Sequence, residues 1–318
     1  MSLKNKVVVV TGGVGFIGGH LIERILKDEP KELIAVSTFQ SGGLENIPIG
    51  SVTLYYADLS NRADVGKFFT TWPWKPDVVF NLAVVNLLTS LDKPEWSVRQ
   101  NIDITLNLLE AQRQKLFGTL VQFSSSEAYG TTLINPMRED HPVNPTTPYG
   151  ASKLATDHIA LSYQKTFGAD VSVIRPFNAY GPRQDIRGLI PATINRALHG
   201  GPICINGDGT QSRDYVYVTD VVDAAIKIYE NEETRGKILN IGYGRDFSVN
   251  TIVETIANYT KYTGEFTHNL ARPGEVQRLV ADIELAKSLI NYSPKVDFEW
   301  GIKTTIDWYE NKYGKDLK

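Results

Sequence analysis

Two pairs of residues in this sequence have types and spacings that could support proton transfer. The first is in TPYGASK, which places Tyr149 and Lys153 four residues apart. If a helix begins near Pro148, both side chains lie on one face, one turn apart. An ammonium beside a phenol favours the phenolate and lowers its pKa, so Tyr149 could exchange a proton with a substrate hydroxyl. Without further context, the same spacing would indicate an ordinary surface pair.

The second pair is in FSSSEAYG, where Ser125 and Glu127 end an apolar run. If TLVQFSSSE is a strand, alternation puts both side chains on one face at its carboxyl end, where open α/β sheets bind ligands. A carboxylate at this edge could act as a base. The alternative is a helix capping box formed by Ser124 and Glu127. A glycine and a proline follow too soon for a convincing helix, so we favour the strand.

A glycine loop supplies the context for both pairs. TGGVGFIG (residues 11–18) contains Gly13-x-Gly15-x-x-Gly18, follows four valines, and opens a helix with apolar residues along one face. Backbone N–H groups at such a strand–turn–helix junction can cradle a pyrophosphate. The sequence therefore predicts a dinucleotide site rather than an ordinary tight turn.

The residues after the second predicted strand bear on the choice of cofactor. Ser37 stands where an acidic residue usually binds the adenine ribose, and no carboxylate lies between Glu32 and Glu45. The segment also lacks Lys and Arg, so the expected cofactor is NAD or NADP, with a mild preference for NADP. Asp58 could accept a hydrogen bond from the adenine amine or cap the next helix.

The elements that must position these residues follow from the apolar pattern. Short Val/Ile-rich runs alternate with helical segments, which predicts a doubly wound, parallel Rossmann-type α/β sheet. After Pro176, glycine and proline punctuation indicates a smaller mixed α/β lobe toward the C-terminus. We expect a dinucleotide-binding domain over residues 1–177, to which the chain returns around 214–242, and a mainly substrate-binding lobe over 178–318.

Composition excludes several classes of protein. The 318 residues include one cysteine, Cys204, which rules out an intrachain disulfide and fits a reducing, cytoplasmic location. The net charge is −3, and no basic block suggests nucleic acid. No apolar run is long enough to span a bilayer. The five histidines are scattered, so we expect no metal site.

Taken together, the motifs resemble those of the extended short-chain dehydrogenase/reductases, in the nucleotide-sugar epimerase/dehydratase family. TGGVGFIG, ADLS, NLAV, SSSEAYG, YGASK, RPFNAYGPRQ, GDGTQSRDYVYVTD and RPGE occur in the family's order along nearly the whole chain. The resemblance implies a catalytic triad of Ser125, Tyr149 and Lys153. It also implies substrate-diphosphate contacts from Asn178, Arg213 and Arg272.

The same resemblance implies a set of residues around the cofactor and a homodimer built on the helices NIDITLNLLEA and YGASKLATDHIALSYQ. Those helices could equally bury their apolar stripes against the sheet. The implied cofactor-binding residues are Gly12, Gly15, Phe16, Ile17, Gly18, Ser37, Asp58, Leu59, Leu82, Ala83, Asn101, Tyr149 and Lys153.

The resemblance implies a UDP-, GDP- or dTDP-hexose as substrate, oxidised at C4 by hydride transfer. With Glu127 as the base that removes the C5 proton, 4,6-dehydration to a 4-keto-6-deoxy sugar is the leading expectation. A 4-epimerase, a UDP-glucuronate decarboxylase, a 4-keto reductase and a redox-sensing binding module remain alternatives. Ser-Glu at this point is similar to GDP-mannose dehydratases and UDP-glucuronate decarboxylases. Ser126 replaces the Asp of dTDP-glucose dehydratases.

Overall fold

A computed structural model describes residues 2–40, 42–271 and 276–314. Thirteen strands are formed by these residues: β1 (Val7–Thr11), β2 (Glu32–Ser37), β3 (Thr53–Tyr56), β4 (Val78–Asn81), β5 (Thr119–Phe123), β6 (Val171–Pro176), β7 (Asn178–Tyr180), β8 (Ile203–Asn206), β9 (Ser212–Tyr217), β10 (Ile238–Ile241), β11 (Asp246–Ser248), β12 (Phe266–Asn269) and β13 (Arg278–Leu279). Seven of them form one parallel sheet in the order β10-β6-β5-β4-β1-β2-β3. This is the predicted doubly wound sheet.

The described helices are α1 (Phe16–Leu26), α2 (Arg62–Thr71), α3 (Leu87–Asp92), α4 (Pro94–Arg113), α5 (Pro148–Phe167), α6 (Leu189–His199), α7 (Val218–Glu230), α8 (Val249–Thr260), α9 (Glu284–Ile290) and α10 (Phe298–Tyr313). Helices α1 and α7 cover one face of the large sheet, and α2, α4 and α5 cover the other. Val8 and Val10 of β1 pack with α1 and α7, whereas Val7 and Val9 pack with α2, α4 and α5. The period-two alternation of a strand therefore feeds two hydrophobic cores, which is why the four valines of β1 are consecutive.

A smaller mixed lobe follows, as predicted. Its sheet has the order β11-β9-β13, with β7 also paired to β9, and β8 pairs with β12. Residues of α6, α8 and α10 enclose a third core against this sheet. The chain re-enters the large sheet at β10, beside β6. Within the predicted return around 214–242, β9 pairs in the smaller sheet and β10 in the large one.

The strand order reverses between β1 and β4. From β1 the chain continues to β2 and β3 on one side of the sheet, and from β4 it continues to β5 and β6 on the other side. A crevice outside the carboxyl ends of the strands forms at such a point, and ligands of open α/β sheets bind there. Within the described ranges, no helix has the length and apolar character needed to cross a membrane.

Candidate active site

The glycine loop has the geometry that a pyrophosphate requires. Gly12 has φ +64°, and a Cβ there would lie 3.0 Å from the carbonyl carbon and oxygen of Leu82. A Cβ on Gly18 would lie 2.3 Å from the Gly12 oxygen, so the first turn of α1 packs against the loop only because this residue is glycine. Gly15 is the N-cap residue and has no side chain to occupy the N–H groups at Phe16 and Ile17. These residues fit a dinucleotide phosphate, so Gly12, Gly15, Phe16, Ile17 and Gly18 are where a bound cofactor would lie.

The residues predicted to contact the adenosine half lie at the ends of β2 and β3. Ser37 Oγ accepts a hydrogen bond from Phe39 N at 3.0 Å. Asp58 Oδ1 accepts from Ser60 N at 3.0 Å and from Ser60 Oγ at 2.7 Å. The helix-cap alternative for Asp58 is wrong, because Asn61 caps α2 by accepting from Ala63 N. Leu59 is buried and its carbonyl accepts from the Asn107 amide at 3.0 Å, so it helps to fix this loop.

The loop after β4 lies against the glycine loop. Leu82 N and Ala83 N both donate to Thr11 Oγ1, each at 3.1 Å. Asn101 holds the next part of the same loop: its Oδ1 accepts from Val85 N at 2.7 Å and its Nδ2 donates to Val85 O at 3.1 Å. The amide also donates to Ser152 Oγ on α5, at 3.0 Å. In this structure Asn101 is therefore a positioning residue for the loop that carries Leu82 and Ala83.

The predicted catalytic residues lie on α5 and in the segment that follows β5. Helix α5 begins at Pro148, as predicted, and Thr147 caps it by accepting from Gly150 N. Tyr149 is half-buried, and Ser125 is close enough to act on its pKa. Lys153 is buried and donates from Nζ to Phe123 O at 2.6 Å, so the ammonium lies beneath the end of β5.

The protonation of this group differs from the sequence prediction. The pKa of Tyr149 is raised to about 12, chiefly by burial; Ser125 opposes the rise, and the charges of Glu127 and Asp157 add to it. Burial likewise lowers the pKa of Lys153 to about 8. The prediction that Lys153 gives Tyr149 a lowered pKa is therefore wrong for the chain by itself. Desolvation of the phenol outweighs the charge that the spacing suggested.

The segment that carries Glu127 is also different from the prediction. Strand β5 ends at Phe123, and Ser126–Ala128 forms a short 3-10 turn whose cap is Ser125, with Oγ accepting from Glu127 N at 3.2 Å. Strand alternation therefore does not explain the placement of Glu127. The turn nevertheless brings the half-buried carboxylate within electrostatic reach of Tyr149. Burial raises the pKa of Glu127, and the nearby Arg213 guanidinium opposes that shift.

Two of the three predicted diphosphate ligands lie on paired strands of the small lobe. Asn178 opens β7 and is aligned with Tyr215 of β9, two residues after Arg213. Arg213 is partly buried and donates from Nη1 to Ser212 O at 2.9 Å. Its charge acts on Glu127, so the guanidinium is within electrostatic reach of the predicted catalytic segment. Arg272, the third predicted ligand, and the RPGE motif lie outside the described residues.

A row of polar residues that was not predicted from the sequence links the glycine loop to Lys153. Thr11 Oγ1 donates to Asn81 Oδ1 at 2.6 Å, and Asn81 Nδ2 donates to Gln122 Oε1 at 2.8 Å. Gln122 Nε2 donates to Phe123 O, the carbonyl that also accepts from Lys153. The register aligns all three residues on β1, β4 and β5. A polar residue near the end of three successive apolar strands was the available signal.

Comparisons with known proteins agree with this geometry. The family model of the NAD dependent epimerase/dehydratase family matches residues 8–242. A putative UDP-glucose 4-epimerase from Methanocaldococcus jannaschii is 32% identical, over 96% of this chain and 98% of that protein. The structure of UDP-glucose 4-epimerase from Thermotoga maritima with UDP-glucose has a TM-score of 0.91 at 30% identity, covering 96% of this chain and 99% of that chain. The structure of DesIV, a dTDP-glucose 4,6-dehydratase from Streptomyces venezuelae with NAD and TYD bound, has a TM-score of 0.91 at 25% identity, covering 98% and 99%. The similar proteins are thus named for two different reactions.

Proposed function

The chain belongs to the NAD dependent epimerase/dehydratase family, and from this premise we propose that it converts a nucleotide-diphosphate hexose into its 4-keto-6-deoxy derivative. The proposal depends on one observation, the half-buried Glu127 carboxylate within electrostatic reach of Tyr149 and Arg213. A carboxylate beside the group that handles O4 is suited to removing the neighbouring C5 proton.

The first step is oxidation at C4. A nicotinamide cofactor held by the glycine loop would supply the hydride acceptor and, later, the hydride donor. Tyr149 takes the proton from O4, assisted by Ser125, which favours its ionised form. The Lys153 ammonium, held on Phe123 O, is the nearby positive charge that can support the phenolate when a substrate displaces water.

The second step is elimination of water. The C4 ketone acidifies the C5 hydrogen, and Glu127 removes it as a proton. That proton passes to the departing C6 hydroxyl, which leaves as water. Once C6 has been reduced, Tyr149 returns to C5 the proton that it took from O4. Both protons are thereby accounted for, and a single carboxyl group with a pKa raised by burial can serve as base and then acid.

Arg213 and Asn178 are proposed to bind the substrate diphosphate from the small lobe. A guanidinium can satisfy several phosphate oxygens in fixed geometry. This assignment is supported by the pairing of β7 with β9, which aligns Asn178 with Tyr215, two residues after Arg213, and by the effect of the Arg213 charge on Glu127. We extend the proposal to Arg272 on the basis of the sequence resemblance.

For the cofactor, we propose a mild preference for NADP within an NAD-dependent family. Ser37 leaves this position without the carboxylate that would repel a 2′-phosphate. Dissociation constants for NAD and NADP, measured by fluorescence titration, test this directly. A preference for NAD of about tenfold or more would contradict it. We also propose a homodimer formed through α4 and α5, to be measured by sedimentation.

A 4-epimerase is the second candidate, and the similarity to the two UDP-glucose 4-epimerases favours it. Ser126 also leaves Glu127 as the single acidic residue in SSSEAYG, where dTDP-glucose dehydratases have an Asp-Glu pair. In an epimerase the ketone turns over before hydride returns, and Glu127 leaves C5 untouched.

Mass spectrometry of products separates the candidates. The protein is incubated with UDP-, dTDP-, GDP- and CDP-hexoses and with UDP-glucuronate. Loss of water from a hexose supports the proposal. An unchanged mass with an altered sugar configuration replaces it with the epimerase. Loss of CO2 from UDP-glucuronate, or turnover only with added NADPH, contradicts both.

A further inference from the structure

An ion pair is buried beneath the catalytic helix. Arg175 Nη2, on β6, donates to Asp157 Oδ2, on α5, at 2.5 Å, and each side chain is only 1% exposed. Removing two such charges from water carries a large desolvation cost, and an apolar pair of similar volume often gives equal stability. Stability alone therefore does not account for these residues at this place.

The pair contacts both segments that carry catalytic residues. Asp157 lies on α5, one turn after Lys153 and two turns after Tyr149. The same Oδ2 accepts from Ser124 Oγ at 2.7 Å, directly before Ser125. The pair thus joins the helix of Tyr149 and Lys153 to the segment of Ser125.

Arg175 extends the connection to the far end of the 3-10 turn. Its guanidinium lies 4.3 Å from the centre of the Tyr129 ring, two residues after Glu127. Tyr129 Oη in turn donates to Asn240 Oδ1 at 2.7 Å, on β10. Both ends of the Ser124 to Tyr129 segment are therefore held by one ion pair.

We propose that Asp157 and Arg175 are positioning residues: the pair fixes the segment of Ser125 and Glu127 against α5, and Asp157 provides the negative charge that favours the Lys153 ammonium. The inference rests on the proposed C4 oxidation and not on which reaction follows it. Among the described residues, neither Asp157 nor Arg175 forms a hydrogen bond with the side chain of Tyr149 or Lys153, so both would act indirectly.

The charges around the pair determine in which direction the pKa of Lys153 changes when the pair is removed. Asp157 raises the pKa of Lys153 against the larger effect of burial, and it also raises the pKa of Tyr149. Burial raises the pKa of Tyr129 and of Glu139, in the segment after the 3-10 turn, and the Arg175 charge opposes both shifts. Glu127 acts on Tyr149 from the turn itself. Loss of the Asp157 charge is thus expected to move the Lys153 titration to lower pH.

The test is a double variant, Asp157→Asn/Arg175→Gln. It removes both charges together, because Asp157→Asn alone would leave the guanidinium buried without a counter-charge. The introduced amide keeps an acceptor for Ser124 Oγ. The Lys153 titration is followed by the ¹³Cε shift of labelled lysine, assigned with Lys153→Met. We expect a lower midpoint than in the unsubstituted protein, and a kcat about 10- to 100-fold lower with a smaller change in KM.

A matched control lies at the opposite end of the same strand. Arg235 forms an ion pair with Asp170, directly before β6. Asp170→Asn/Arg235→Gln removes this pair at the amino edge of the sheet, far along β6 from Arg175. We expect it to lower the thermal midpoint without changing the Lys153 titration or kcat.

A second variant keeps the proposal testable if the first does not fold. Ser124→Ala cuts the link between Asp157 and the Ser125 segment and retains both charges. We expect kcat to fall about tenfold at every pH with an unchanged Lys153 midpoint.

Either of two results would overturn the inference. One is a folded double variant with the Lys153 midpoint and kcat of the unsubstituted protein. The other is a Ser124→Ala protein with full kcat. The Lys153 titration needs no substrate, so a failure to turn over any nucleotide sugar would count against the proposed function while the titration still judges the ion pair.

Discussion

A lysine lies at each end of the strands of the seven-stranded sheet, and its surroundings differ between the amino ends (the amino edge) and the carboxyl ends (the carboxyl edge). At the amino edge, Lys6 Nζ donates to Asp77 Oδ1 at 3.0 Å, and Asp77 Oδ2 accepts from Val7 N at 2.8 Å, so one carboxylate ties β1 to the start of β4. At the carboxyl edge, Lys153 is buried and donates to a neutral carbonyl, Phe123 O.

This difference moves the two lysine pKa values in opposite directions. The hydrogen bond and charge of Asp77 raise the pKa of Lys6, whereas burial lowers that of Lys153 to about 8. Pairing stabilises a charged form, and desolvation favours a neutral one. At the amino edge Lys6 therefore stays charged at neutral pH. At the carboxyl edge the pKa values of Lys153 and Glu127 are both shifted toward neutral pH. Groups in that condition are suited to proton transfer.

The largest effect is expected from Tyr149→Phe, which removes the proton acceptor at the carboxyl edge. Every proposed route begins with loss of the O4 proton, so kcat should fall by about 10³ to 10⁴-fold. Steady-state kinetics on the nucleotide sugar identified by mass spectrometry measure the loss.

The matched control is Tyr163→Phe, about four turns further along α5, where the hydroxyl donates to Glu110 Oε1 at 2.8 Å. This change should leave kcat unaltered. Full activity in Tyr149→Phe would show that the phenol takes no part in the reaction. The proposal that proton transfer takes place at the carboxyl edge would then be wrong.

Glu127→Gln should separate the two proposed steps. The amide cannot take the C5 proton, so water loss should slow by roughly 10²-fold. C4 oxidation depends on Tyr149 and should continue, which the near-ultraviolet absorbance of reduced cofactor would show. Glu110→Gln, whose carboxylate pairs with Arg113 on α4, is the control and should change neither step. Unimpaired turnover in Glu127→Gln would favour the epimerase.

The sequence predicted most of the fold and the residue types of the site. The family resemblance is confirmed, as are the parallel sheet and the smaller lobe. Helix α5 was predictable because Pro148 and Thr147 are local start signals that need no tertiary contact. The glycine loop was predictable for a similar reason, since its backbone geometry at Gly12 and Gly18 demands glycine.

What could not be predicted depends on contacts between distant segments. Ser125 and Glu127 were assigned to one face by strand alternation, yet the strand ends at Phe123 and a 3-10 turn places the carboxylate. The Tyr149 pKa was predicted from one neighbour, but burial by the surrounding chain decides its direction. Local spacing carries neither the end of a strand nor the amount of solvent excluded.

The next prediction concerns stability at the carboxyl edge. Because the folded-state pKa of Lys153 lies below its ordinary value of 10.5, the unfolded chain binds more protons between about pH 8 and 10.5. Burial of the charge thus costs stability below pH 8, and the cost vanishes above 10.5. Lys153→Met should raise the free energy of unfolding at pH 7 by on the order of 2 kcal/mol, while it impairs catalysis. Phe123 O keeps a donor in Gln122.

Urea unfolding from pH 7 to pH 10.5 measures this difference. The gain of Lys153→Met over the unsubstituted protein should shrink steadily across that range. A variant that is less stable at pH 7 would show that the contacts of the buried ammonium outweigh its desolvation.

The smallest effect, and the opposite sign, is expected at the amino edge. Lys6 has a raised folded-state pKa, so its pair with Asp77 stabilises the protein fully below pH 10.5, and the contribution is lost as the pH rises through the folded-state value. Both side chains are more than a third exposed, which limits the contribution to about 0.2 to 1 kcal/mol. Lys6→Met should therefore lower the free energy of unfolding at pH 7 by that amount, and the loss should disappear at strongly alkaline pH. A paired amine and a desolvated amine change the stability of the protein in opposite directions as the pH rises. If Lys6→Met stabilised the protein, as Lys153→Met is expected to, the proposed difference between the two lysine environments would be wrong.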